Sequence, residues 1–358
     1  MSDPVRKYLG QTVAVKPAHR IDAARLAEFL SDTVPGYEGP VTLQQFEGGQ
    51  SNPTYLLTTP RAKYVLRRKP PGVLLKSAHA VDREFRVMRA LFETGFPVPE
   101  PLALCEDADV LGTAFYVMRH VPGRVFLINA MPDLTPPERA AVYDSANQTL
   151  ARLHSVDYVA VGLEDFGRTG DYFGRQISRW SQQYQASRTE DVAEMDRLMD
   201  WLPKALPPQG ETRLIHGDYS FHNLLIHPTE QRVVAVLDWE LSTTGDPIGD
   251  LTYHAMEWYR PNDGDARGTL RGLELAALGI PDLESYVARY CERVGRPPID
   301  NLAFYKAYNL FRVAAIVQGI VGRARQGNAA AEGASQQAAR VRPLAEAAWA
   351  FAREAGAA

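Results

Sequence analysis

Residues 213–250 read R-L-I-H-G-D-Y-S-F-H-N-L-L-I-H-P-T-E-Q-R-V-V-A-V-L-D-W-E-L-S-T-T-G-D-P-I-G-D. Asp218 is followed five residues later by Asn223, and a short apolar run, a turn and a strand lead on to Asp238. Gly217 permits a tight backbone beside Asp218. A carboxylate within reach of a hydroxyl can orient it and take its proton. An amide oxygen and a second carboxylate suit Mg²⁺ with phosphate ligands. Val233–Leu237 is an unbroken apolar strand ending in Asp238, and a carboxylate there is costly unless a cation or metal meets it. Phosphoryl transfer asks for this grouping. The competing reading of Asp218 and Asn223 alone is a turn in which both satisfy backbone groups.

The segments outside this stretch divide in two. Ahead of it, residues 19–32 predict a short helix. Strands are expected at Val41–Phe46, Thr54–Thr58, Lys63–Lys69, Leu102–Glu106 and Ala114–His120, with a helix over 79–94. That is a small N-terminal lobe, residues 1–120, built on a five-stranded antiparallel sheet and one inserted helix. Residues 121–358 are mainly helical. Thr135-Pro136-Pro137-Glu138 supplies an N-cap, a proline at the first position and a Glu at the third. Further helices are expected near 174–187, 190–206, 248–259, 282–294, 300–323 and 330–355. The fold class is α+β.

The N-terminal region offers a cation and a carboxylate for the same chemistry. Period two along Lys63–Lys69 places Val65, Arg67 and Lys69 on one face. On the helix, Val81, Phe85, Met88, Leu91 and Phe92 form an apolar stripe. Glu84 lies on or beside it and needs a buried partner, for which Arg67 is the evident candidate. The alternatives are a snorkelling Glu84 and Lys69 as the cation. Glu47-Gly48-Gly49-Gln50-Ser51-Asn52 is either a plain hairpin turn or a loop that covers phosphates with backbone N–H groups.

The string H-G-D-x-x-x-x-N, then a strand and D-W-E, then G-D-P-x-x-D-L resembles the aminoglycoside phosphotransferase and choline kinase family. The resemblance runs over nearly the whole chain and implies a bilobed protein-kinase-like fold that uses ATP and Mg²⁺. It implies Asp218 as catalytic base, Asn223 and Asp238 as Mg²⁺ ligands, and a structural His216. Asp246 and Asp250 match its G-D-P-x-x-D segment, and Asp250 reads as a brace for the catalytic loop. Arg67 stands where the family carries a lysine. Tyr116–Gly123 matches the hinge that reads adenine, with Val65 and Met118 as apolar contacts to the base.

The acceptor is less determined. Residues 166–188 carry Arg168, Arg175, Arg179 and Arg188 against Asp171 and are rich in aromatics, which suits an anionic, partly apolar acceptor. A solvated helix face is the alternative. The segment V-L-R-R-K-P-P-G-V-L-L-K-S-A-H-A-V-D-R-E-F-R-V-M (65–88) resembles the kinase-like domain fused to acyl-CoA dehydrogenases. This implies a hydroxy acid or hydroxyacyl-CoA acceptor, the alternatives being an aminoglycoside or a choline-type alcohol. Trp258, Arg260, Tyr305 and Arg312 join Arg175 and Arg179 as acceptor-pocket candidates, with Tyr259 and Tyr308 beside them.

Two readings of other classes stand beside this one. A nucleotide-binding pseudokinase would keep the fold without the reaction. A zinc hydrolase could use His216, Asp218 and His222, but leaves Arg67, Glu84 and the glycines unexplained. Composition excludes more. The 358 residues are 45% hydrophobic and 23% charged, with a net charge of −4 and no basic footprint for nucleic acid. Cys105 and Cys291 make no metal spacing or disulfide framework. The first residues lack a leader's apolar run, and no stretch reads as a bilayer span. The expected setting is cytoplasmic, with a small hydroxylated molecule as partner.

Overall fold

The computed structural model describes residues 10–47, 52–70, 80–325 and 334–358. Gly48, Gly49 and Ser51 of the expected phosphate loop lie outside them, as does 71–79 in the segment 65–88. The elements in chain order are β1 (Thr12–Val13), α1 (Ala23–Thr33), β2 (Thr42–Phe46), β3 (Thr54–Thr58), β4 (Lys63–Arg68), α2 (Val81–Glu93), β5 (Pro101–Cys105), α3 (Ala108–Leu111), β6 (Phe115–Arg119), α4 (Pro136–His154) and α5 (Tyr172–Ser187). There follow α6 (Ala193–Trp201), β7 (Arg213–Ile215), β8 (Leu224–Ile226), β9 (Val233–Val236), β10 (Thr243–Gly245), α7 (Pro247–His254), α8 (Leu275–Leu278), α9 (Leu283–Val294), α10 (Leu302–Arg325) and α11 (Ala334–Glu354).

Contacts group these elements into two units. The first comprises residues 1–127, 159–163 and 222–242. Its antiparallel sheet has the order β1-β2-β3-β4-β6-β5. The sequence predicts five strands. The sixth is β1, whose two residues are too few to show a period of two. β4 is central because alternate residues fill both faces: Tyr64, Leu66 and Arg68 are buried against one side, and Val65 against the other. Tyr55, Leu57, Tyr64, Leu66, Phe115 and Val117 pack with Leu26 and Leu30 of α1. Asp22 caps α1 by accepting from the Ala24 amide at 2.9 Å. α2 packs on β5 and β6, which brings its buried stripe and Glu84 to the sheet. β8 and β9 form a hairpin in this unit, pairing Leu224 with Val236.

The second unit, 128–158, 164–221 and 243–358, is mainly helical. α4 begins where the capping signal places it, and the Thr135 amide donates to the Glu138 carboxylate at 2.9 Å. α10 is buried along most of its length and packs on α5, α7 and α11. β10 pairs antiparallel with β7. That pairing is absent from the sequence reading, because Thr243–Gly245 is three residues of turn-like composition. α7 ends at His254 and a 3₁₀ turn carries the chain to Trp258, where the sequence predicts one helix over 248–259. Among the described residues no helix is long and apolar enough to cross a membrane.

Candidate active site

The first unit gathers four charged groups. Arg67, from β4, places Nε 3.3 Å from Glu84 Oε2. Its Nη2 lies 2.7 Å from Asp238 Oδ1 and 3.3 Å from Glu240 Oε2. Glu84 is 1% exposed, so its charge persists only with partners. Asn52 Nδ2 donates to one of its oxygens at 3.2 Å and the Tyr116 hydroxyl to the other at 3.1 Å. Burial works against the Arg67 charge, but Glu84, Asp238 and Glu240 outweigh it and raise its pKa. Burial pushes the Glu84 carboxyl up to about 7 against the pull of Arg67, with Asp238 and Glu240 adding to the rise. Lys69, the other cation on that face, pairs instead with Asp82 at 3.5 Å.

Asp238 follows β9 by two residues and has a left-handed backbone, φ 64°, which costs a non-glycine residue energy and is a recurrent mark of functional positions. The Leu237 amide donates to the Asn223 carbonyl at 2.8 Å. The β8–β9 hairpin therefore sets Asn223 and Asp238 at one end. Val65 and Met118 are paired directly across β4 and β6, both buried. Arg67 and this apolar pair thus share one sheet, and the carboxylates reach Arg67 from α2 and from the turn after β9.

The second unit holds the loop that carries Asp218. Gly217 has φ 82°, a conformation open to glycine at little cost. Asp250, on α7, accepts the His216 amide at 2.5 Å and the Gly217 amide at 2.8 Å. The Oδ2 that accepts the His216 amide also meets His154 Nε2 at 3.4 Å, and His154 Nδ1 meets the Tyr290 hydroxyl at 2.6 Å. Asp250 is 1% exposed; burial would raise its pKa, yet the bonds from His154 and His216 keep it low. Arg312, from α10, donates to the Gly217 carbonyl at 2.6 Å. Tyr253 faces Asp218, and burial together with that charge raises its phenol pKa. Asp246 caps α7 through the Ile248 amide at 2.8 Å.

The acceptor-pocket candidates scatter. Arg260 is 1% exposed and bound to Glu257 at 2.8 Å and Asp263 at 2.9 Å, so its charge is spent inside the fold. Trp258 is buried, donates to the Pro281 carbonyl at 2.8 Å and packs on Tyr286. Arg175 is turned to the backbone carbonyls of Arg168 and Gly170. Arg188 pairs with Asp191 and Asp196. Arg179 lies over the Trp180 ring at 5.1 Å. Tyr305 lines a cavity of about 870 Å³ with His154, Asp246 and Arg296, and burial pushes its phenol up to about 12. The positive balance of 166–188 is therefore partly neutralised by backbone and by acids outside that window. Among the described residues no group of three or more His, Cys, Asp or Glu is arranged to hold a metal.

Sequence reasoning missed Tyr116, Glu240, His154 and Tyr253. Glu240 stands within the D-W-E string, and Tyr253 follows Asp250 by three residues on one helix face, so both left a local trace. Tyr116 and His154 left none, because their partners are distant in sequence.

Comparison with known proteins identifies the family and the fold. The model of a phosphotransferase enzyme family matches residues 42–289. Mouse acyl-CoA dehydrogenase family member 10 is 46% identical over 354 residues, which cover 99% of this chain and 33% of that protein. The chain spans a third to under a half of the curated relatives it matches first. Among solved structures, a putative aminoglycoside phosphotransferase from Ralstonia eutropha is 47% identical with a TM-score of 0.86, covering 94% of this chain and 99% of its own. A thermostable mutant of aminoglycoside phosphotransferase APH(4)-Ia, in ternary complex with ADP and hygromycin B, shares the fold at 18% identity and a TM-score of 0.57, covering 92% of this chain and 98% of its own.

Proposed function

The chain belongs to the phosphotransferase enzyme family, whose fold serves small-molecule kinases, and from that premise we propose that it transfers the γ-phosphoryl group of ATP, with Mg²⁺, to a hydroxyl of a small acceptor. The observation that carries the proposal is the three-carboxylate surround of Arg67. Glu84, Asp238 and Glu240 bring more negative charge than one guanidinium balances, which fits a site completed by a divalent cation. Asp238 and Asn223 are the groups that would hold Mg²⁺, and Mg²⁺ when bound neutralises charge on the phosphate oxygens. Arg67 meets the α/β-phosphates, and Val65 with Met118 forms the apolar wall for the base. The APH(4)-Ia relative holds ADP, which supports nucleotide use here.

Asp218 takes the hydrogen bond of the acceptor hydroxyl and orients its oxygen toward the γ-phosphorus. The new O–P bond forms as the bond to the β,γ-bridging oxygen breaks; ADP leaves with that electron pair and Asp218 receives the proton. Asp250 keeps the loop in place by holding the two amides before Asp218. For the acceptor, a hydroxy acid or hydroxyacyl-CoA is favoured over an aminoglycoside or choline. The support is the relatives' naming for acyl-CoA dehydrogenation, since a kinase of hydroxyacyl thioesters would act on the same carriers.

An ADP-release assay over hydroxy acids, hydroxyacyl-CoAs, aminoglycosides and choline tests the acceptor; turnover with aminoglycosides alone would reject it. Asp218→Ala is expected to abolish turnover while ATP binding stays near wild type. Turnover by that variant at the wild-type rate would reject the mechanism.

A further inference from the structure

The Gly217 backbone is gripped from two helices. Its N–H donates to Asp250 of α7 at 2.8 Å, and its carbonyl accepts from Arg312 Nη2 of α10 at 2.6 Å. The N–H lies in the His216–Gly217 peptide and the carbonyl in the Gly217–Asp218 peptide, so two successive planes are held, and the second of them sets where Asp218 starts. Arg312 is 5% exposed. The centre of its guanidinium lies 4.6 Å from the Tyr253 ring centroid and 5.7 Å from that of Trp180. Tyr253 is the residue that faces Asp218. One side chain therefore reaches both the backbone before the carboxylate and the ring beside it.

An arginine is suited to this double task and a lysine is not. The flat guanidinium can lie against an aromatic face while its edge donates to a carbonyl, whereas an ammonium is a compact point charge. A buried guanidinium is costly without such partners. Its enclosure and its bond to the backbone set it apart from an arginine presented to a ligand.

We propose that Arg312 is a positioning residue that holds the carbonyl of the Gly217–Asp218 peptide and the Tyr253 ring so that Asp218 is correctly set for the acceptor hydroxyl. The role rests on Asp218 being the catalytic base. The charged and titratable groups facing Asp218 in this unit include Arg312 from α10, Tyr253 from α7 and His216 from its own loop, which accepts the Asp218 amide at 3.2 Å; Arg267, from the loop after α7, acts on Tyr253. Of these, Arg312 alone donates to the backbone carbonyl just before Asp218.

Arg312→Lys and Arg312→Ala test the idea in two ways. In the kinase assay both should lower kcat by about 10- to 100-fold, the usual loss for a small misplacement, with the KM for ATP within about twofold. Millimolar methylguanidinium should restore part of the Arg312→Ala rate and leave wild type unchanged. Independently of any activity, hydrogen exchange in the peptide spanning 213–221 should speed up in Arg312→Lys, with exchange in the sheet of the first unit unchanged. If Arg312→Ala fails to fold, Arg312→Lys carries both measurements. A wild-type kcat with unaltered exchange overturns the proposal. So does a raised acceptor KM at constant kcat and exchange, which would make Arg312 a ligand contact. A wild-type chain without transferase activity would reject the kinase reading, and the exchange measurement would still decide whether Arg312 holds the loop.

Discussion

Arg67 Nη2 lies 2.7 Å from Asp238 Oδ1, a contact made across 171 residues of sequence. The same guanidinium reaches Glu84, which is almost fully enclosed. Removing the cation leaves a buried carboxylate without its counter-charge. Arg67→Met is therefore expected to destabilise the fold by about 3 kcal/mol, the range for breaking a buried pair. Arg67→Met combined with Glu84→Gln should recover more than half of that loss, because the uncompensated charge is gone. Urea unfolding of the two singles and the double gives the cycle; additive losses would show that the pair is not coupled. Lys69→Ala should leave nucleotide binding close to wild type, since Lys69 pairs with Asp82 at a partly exposed position.

The carboxylate excess around Arg67 leads to a second expectation. ATP binding should be tighter with Mg²⁺ than with EDTA in wild type, and this difference should shrink by about tenfold or more in Asp238→Ala and in Asn223→Ala. Isothermal titration in the two buffers reads it. An unchanged Mg²⁺ dependence in both variants would remove Asn223 and Asp238 from the metal site.

Arg260 provides a contrast between fold and pocket. Its network with Glu257, Asp263 and Asp265 is enclosed, and Arg340 of α11 closes it at 2.9 Å from Asp263 and 2.7 Å from Asp265. Arg260→Met should cost about 3 to 5 kcal/mol in unfolding free energy. The KM of the fraction that stays folded should not change. A raised acceptor KM at full stability would return Arg260 to the acceptor pocket.

His254 gives the pH dependence. It is 3% exposed, meets the Tyr286 hydroxyl at 2.7 Å, and burial lowers its pKa from 6.5 to about 4. The unfolded chain then binds a proton that the native state refuses between those two values. Stability should fall as pH drops from about 6.5 toward 4, with the full difference worth roughly 3 kcal/mol. His254→Gln, which cannot titrate, should lose less between pH 7 and pH 4.5. Urea midpoints at the two pH values measure this; equal losses in wild type and variant would exclude His254 as the source.

How far the sequence discloses this molecule depends on the distance over which each feature is determined. β3, β4 and β6 are legible because aromatic, leucine and β-branched residues run through segments of five or six residues, and α4 because its capping signal is local. β1 and β10 are not, since two or three residues show no period and their pairing is settled by strands far away. Glu84 is legible because an acid on an apolar stripe demands a partner. The candidates drawn from 166–188 and Arg260 look exposed when charge is counted in a window, yet Arg175 turns to carbonyls and Arg260 to acids three residues on either side. Those acids, Glu257 and Asp263, stand at helical spacing from Arg260 along the chain, a local sign of an internal ion rather than a pocket residue. Arg312 carries no such sign, because what it grips is a backbone carbonyl 95 residues away.

The Arg260–Asp263–Asp265–Arg340 network has one further consequence, which concerns heat. The hydration that buried ions forgo becomes less favourable on warming, so the desolvation penalty of such a network falls as temperature rises. The attachment of α11 to the loop after Trp258 should thus weaken less with heating than contacts that depend on exposed polar groups. When this unit begins to melt, α11 is among the last elements expected to leave.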